Sequence, residues 1–165
     1  MDTNDLSIEV YKKHLRNGDK MKLTDEQIKE IAEELDCGMV VYVHKETKEI
    51  ETILDFDSHV DADEELWEED SNEIEENIDM YFQFSPMDSR ASFKIMELFT
   101  ENVEDEELKK KLELGLSLSK PFRNFKDILD FENEYRDKWF KYKSEKYIEY
   151  VKELLTFLNG EDWTQ

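Results

Sequence analysis

Apolar residues recur every three or four positions over two long parts of this chain and every second position over a shorter part between them. Ile28, Ile31, Ala32 and Leu35 form one helical stripe. Ahead of it Thr24 and Gln27 read as a capping box, and Gly38 supplies the left-handed residue that can stop the helix. Met39 to His44 is then β-branched and aromatic, while Ile50 to Phe56 places Ile50, Thr52, Leu54 and Phe56 on one face. The two runs predict a β-hairpin across the polar Lys45 to Lys48. Ile78 to Phe84, with Met80, Phe82 and Phe84 on one face, predicts a third strand and so a small antiparallel sheet.

From Ser85 onward the period is helical. Ser85 suits a cap, Pro86 a first helical position and Asp88 the positive end of a helix dipole, predicting a helix through Ala91, Ile95, Leu98 and Phe99. Glu104 to Leu118 predicts another, with Leu108, Leu112 and Leu116 inward and Gly115 permitting close approach. Pro121 starts a third, through Phe122, Phe125 and Leu129. A long last helix carries Phe140, Tyr147, Val151, Leu154 and Leu158 at heptad-like spacing. Phe99, Phe122, Trp139 and Phe140 are expected in one core. The fold class is therefore α+β, a three-stranded antiparallel sheet with a predominantly helical C-terminal half. The expected organisation is an N-terminal extension over 1–20, one domain over 21–158 and a tail over 159–165. Within the extension Leu6, Ile8, Tyr11 and Leu15 suggest a short docking helix, and Met21 is an alternative start of translation.

Charge changes the picture most. The chain of 165 residues carries 44 Asp and Glu against 22 Lys and Arg, for a net charge of −22. Between Glu49 and Ser89 sixteen of forty-one residues are acidic and none is Lys or Arg. Such a surface repels nucleic-acid backbones and anionic membranes and attracts cations and basic proteins. Within the tract, Ala62 to Asn77 reads as a loop with a helical turn, because like charges three and four apart weaken a helix. Cys37 is the lone cysteine, so no internal disulfide forms and a reducing, cytoplasmic setting suits the chain. No secretory signal and no membrane-length apolar run is present.

Candidate chemistry is sparse. Asp55, Asp57, His59, Asp61 and Asp63 alternate and could meet a divalent cation, but the calcium-loop pattern fails with Val60 where glycine and Leu66 where glutamate belong. A solvated acidic loop is the preferred reading, with no metal and no cofactor. His14, His44 and His59 are too dispersed to be a ligand set and read as structural. Cys37, at a helix C-terminus where the dipole disfavours a thiolate, is expected to be buried and inert. The isolated glycines make no phosphate-cradling loop. Lys120 to Lys152 holds nine basic and seven acidic residues with nine aromatics, a composition that can bind single strands, although the field of the whole chain opposes it.

Phe93, Met96 and Phe99, then Pro121, Phe122, Arg123, Asn124, Phe125, Lys126 and Asp127, then Trp139 and Tyr142, resemble a bacterial group known as uncharacterised protein family (UPF) 0158. The resemblance runs from about Met21 to about Leu158. It implies an α+β domain of unassigned biochemical function and carries over no catalytic residue.

These observations lead to an expected non-enzymatic interaction or regulatory protein. Its partner surface would include Asp55, Asp57, Asp61, Asp63, Glu64, Glu65, Glu68 and Glu69, facing a basic protein. The alternative is an RNA- or anion-binding module using Arg123 and Lys126. Those two residues also have a structural reading, as ion pairs with Asp127 or Glu97. An unrecognised enzyme is the third possibility.

Overall fold

The computed structural model describes residues 20–54 and 68–160. These divide into two compact units, one made of the residues up to Pro86 together with those from Tyr147 onward, the other of Met87–Lys146.

In the first unit helix α1 (Asp25–Asp36) opens with the expected capping box. The Thr24 hydroxyl accepts from the Gln27 amide at 3.1 Å and the Gln27 side chain accepts from the Thr24 amide at 2.9 Å. Ile28, Ile31, Ala32 and Leu35 are its buried stripe, and Gly38 follows the helix at φ 85°. Strands β1 (Met39–His44) and β2 (Ile50–Leu54) form the hairpin, with Val41 opposite Thr52 and Val43 opposite Ile50. In the turn between them the His44 imidazole Nδ1 accepts from the amides of Glu46 and Thr47 at 3.2 and 3.1 Å. That side chain is structural, as expected.

Helix α2 (Glu68–Glu76) comes next, followed by a single 3-10 turn over Ile78–Met80 and strand β3 (Tyr81–Phe84). The third strand is thus shorter than its pattern suggests. The Met80 amide bonds back to the Asn77 carbonyl at 2.8 Å, so Ile78, 44% exposed, belongs to the turn. The sheet is antiparallel with order β2-β1-β3. Val41, Val43, Phe82 and Phe84 share one face and are buried, α1 packing against β1. The C-terminal end of the last helix belongs to this unit. There the Tyr150 hydroxyl donates to the Ser85 carbonyl at 2.9 Å, and the Asn159 amide group exchanges two hydrogen bonds with the Met21 backbone.

The second unit is helical. Helix α3 (Ser89–Glu101) is capped by Asp88, whose carboxylate accepts from the Ala91 amide at 2.8 Å. Ser85 and Pro86 therefore precede the helix: the cap falls three positions later, on Asp88, a residue type that caps as well as serine. Helix α4 (Glu106–Ser117), capped by Asp105, buries Leu108, Leu112 and Leu116 as expected. Helix α5 (Pro121–Leu129) begins at its proline after Lys120, which adopts the left-handed conformation at φ 57°. Helix α6 (Asn133–Leu158) contributes its first part to this unit. The core gathers Met96, Phe99, Leu112, Phe125, Leu129 and Trp139, among others. Phe99, Phe125 and Trp139 form a mutual edge-on triad with ring centres 4.8 to 6.2 Å apart.

Three burial expectations are corrected. Phe122 is 43% exposed and Phe140 56% exposed, so only Phe99 and Trp139 of the four expected aromatics share the core. Phe122 leans toward the start of α5, where no preceding turn covers it, and Phe140 lies about 100° around α6 from Trp139. Cys37 is exposed because it caps α1 on the side opposite the buried stripe, about 200° from Leu35.

Candidate functional site

Of the expected partner-binding carboxylates, Asp55, Asp57, Asp61, Asp63, Glu64 and Glu65 lie outside the described residues, as does His59. Glu68 and Glu69 stand in the first turn of α2. That helix forms despite its carboxylates, and its one large apolar residue, Ile74, is 1% exposed. Burial of such a side chain is worth about 1.5 to 3 kcal/mol, more than the few tenths lost per like-charge pair.

The acidic character extends to the sheet. The Tyr81 ring stands edge-on to His44 and Tyr42, with centres 5.2 and 6.4 Å away. Burial first, and then the neighbouring carboxylates Glu51, Glu73 and Glu49, push its phenol above the ordinary value. In the turn that follows β1, Lys45 donates to the Asp79 carbonyl at 2.6 Å and lies over the Phe82 ring at 5.4 Å. Burial holds its ammonium below the ordinary value, against the opposing pull of Asp79. Neither arrangement brings a nucleophile to a base. Among the described residues no three His, Cys, Asp or Glu side chains converge as a set able to hold a metal ion.

In the second unit Arg123 and Lys126 are one helical turn apart on the outer side of α5 and both are exposed. Arg123 Nε lies 3.9 Å from Asp127 Oδ2, an exposed i,i+4 contact of small energetic weight. Glu97 pairs with Lys94 at 3.6 Å.

Two open clefts mark this unit. One, of about 350 Å³, is flanked by Phe99, Glu104, Tyr135, Lys138, Lys141 and Tyr142. Lys138 lies 2.9 Å from Glu134 and over the Tyr135 ring at 4.8 Å. That hydrogen bond with Glu134 raises its ammonium above the ordinary value, which makes it a poor general base. The other cleft, of about 340 Å³, runs between α3 and α4 past Phe93, Glu97, Thr100, Glu101, Glu113 and Leu116. Thr100 is buried at its floor and its hydroxyl is satisfied by the Met96 carbonyl at 2.8 Å.

This second cleft is the feature that pattern reading missed. Phe93, Glu97, Thr100 and Glu101 share one face of α3 at helical spacing, a signal present in the chain, but Glu113 and Leu116 join them only through the pairing of α3 with α4. The pairing of α4 with α5 is fixed nearby. A Cβ at Gly115 would lie 2.9 Å from the tip of Ile128, Cδ1, and 3.3 Å from Asn124 Cβ, so a side chain there would displace Ile128 and crowd α5, and the Asn124 side chain donates to the carbonyls of Gly115 and Ser119 at 3.0 and 2.9 Å. Gly115 thus has the close-approach role expected of it.

No described helix is long and apolar enough to cross a membrane. Comparison with curated proteins and with solved structures gives no match. The α+β architecture and the Phe122 to Asp127 segment at the start of α5 accompany a family-model match over residues 19–160, and the chain belongs to the Uncharacterised protein family (UPF0158).

Proposed function

We propose that this chain is a small non-enzymatic interaction or regulatory protein, bacterial and cytoplasmic, that meets a basic partner protein through its acidic unit. The observation that carries this reading is the partition of charge. The sequence outside 87–146 holds thirty carboxylates against nine Lys and Arg, whereas 87–146 holds fourteen against thirteen. One unit therefore projects almost the whole field of the molecule, and a field of that size selects partners by sign and accelerates their encounter. The exposed Cys37 thiol suits a reducing compartment.

The test uses surface plasmon resonance with the protein captured from the source cell. Changing Glu64, Glu65, Glu68 and Glu69 together to Gln is expected to slow association more than it speeds dissociation, and the effect should fade as salt rises. Arg123→Ala with Lys126→Ala should leave binding intact. The opposite pattern, a silent quadruple variant and loss of binding on removing Arg123 and Lys126, would transfer the function to an anion site on α5.

A further inference from the structure

We propose that the groove between α3 and α4 seats the apolar anchor of a basic peptide segment, a specific docking site that rests on the interaction reading above. Phe93 and Leu116 give the groove its apolar lining. Phe122 stands edge-on to Phe93 with ring centres 6.4 Å apart and is 43% exposed, so it extends the apolar surface beyond the groove. Single exposed apolar side chains are ordinary, whereas an aromatic pair that carries a groove's lining out onto the surface is the kind of apolar feature a partner can use.

Charge identifies the occupant. The rim carries Glu97, Glu101 and Glu113 against the single Lys94, and Lys94 is already engaged with Glu97 at 3.6 Å. Glu101 and Glu113 are exposed and have no ion pair among the described residues. An acidic or neutral segment would desolvate these carboxylates without return. A segment with a Leu or Phe anchor flanked by Lys or Arg satisfies both the lining and the rim, with the apolar contact setting the residence time. An anionic lipid surface is disfavoured by the same carboxylates.

The test is an NMR titration of the full-length ¹⁵N-labelled chain with a synthetic amphipathic helix built only of leucine and lysine. Two control peptides replace either every lysine with glutamate or every leucine with alanine. The expected footprint is Phe93, Glu97, Glu101, Glu113, Leu116 and Phe122, for the Leu/Lys peptide alone. Glu101→Lys with Glu113→Lys, both exposed positions that leave the core untouched, should weaken binding at least tenfold, and Phe122→Ala several-fold. The Glu64, Glu65, Glu68 and Glu69 to Gln variant should slow association but keep the footprint. A footprint confined to residues outside 87–146 would overturn the groove and leave the acidic-partner reading standing. Binding indifferent to both sets of charges would overturn both. Equal binding of the glutamate peptide, or a dimer of the free chain closing over this groove, would also overturn the groove proposal.

Discussion

At the scale of single residues, the field of the acidic unit is felt most directly by Tyr81. Its phenol is raised by burial and by Glu51, Glu73 and Glu49, so the folded protein keeps the phenolic proton beyond the ordinary value of 10.0. The unfolded chain gives that proton up first as pH rises. Tyr81 therefore contributes no pH dependence below its ordinary value. Between that value and its folded one, the native state holds more protons than the unfolded state, and stability falls with rising pH. The expected outcome is a Tyr81 ring titration, followed by ¹³C NMR, with a midpoint above 10, which moves downward in the Glu51→Gln and Glu73→Gln variants. A midpoint at or below the ordinary value, or one indifferent to both substitutions, would show that these carboxylates do not act on the ring.

At the scale of elements, what was legible in the chain was what local physics fixes. Thr24 and Gln27 announce α1, Gly38 ends it, and Pro121 opens α5, because each satisfies or removes a backbone donor within a few residues of itself. The alternation of Phe82 and Phe84 likewise specified a face before any pairing was known, whereas Met39 to His44 showed only a β-branched and aromatic run, and the face of Val41 and Val43 follows from their pairing with Phe84 and Phe82. Illegible were the properties decided by a distant neighbour. Whether Phe122 is covered depends on Phe93 in another helix, and the groove needs Glu113 and Leu116 brought to Phe93 and Glu101. Helical spacing predicts a stripe but not how far a partner element covers its edge. The consequence is measurable in α5. Phe125, 2% exposed within the aromatic triad, should cost about 3 to 5 kcal/mol as Phe125→Ala. Phe122→Ala, at a site 43% exposed, should cost about 1 kcal/mol, since much of its apolar area stays in water. Urea titrations with unchanged slopes would check both, and equal losses would contradict the division of α5 into a buried and a presented ring.

At the scale of the whole molecule, thirty carboxylates against nine cationic side chains outside 87–146 mean that folding there concentrates like charge, while in 87–146 it does not. Self-repulsion of this kind lowers the stability of the compact state and is relieved by screening. The Debye length falls from about 30 Å at 0.01 M salt to about 10 Å at 0.1 M and about 3 Å at 1 M, so most relief should arrive in the first step. The exposed ion pairs, such as Lys29–Glu33 at 3.9 Å and Lys138–Glu134 at 2.9 Å, are lost to the same screening but carry little stability each. Hydrogen exchange followed by mass spectrometry separates the two responses. Peptides from 25–54 and 72–86 should gain protection between 0.01 and about 0.1 M sodium chloride, whereas peptides from 89–129 should change little over the same range. The unequal response follows from the unequal charge, since protection reports the free energy of opening and only the acidic unit has repulsion to release on opening. Equal gains in both units would mean that salt acts through apolar burial instead, and a loss of protection in 25–54 would mean that ion pairing outweighs repulsion in the acidic unit.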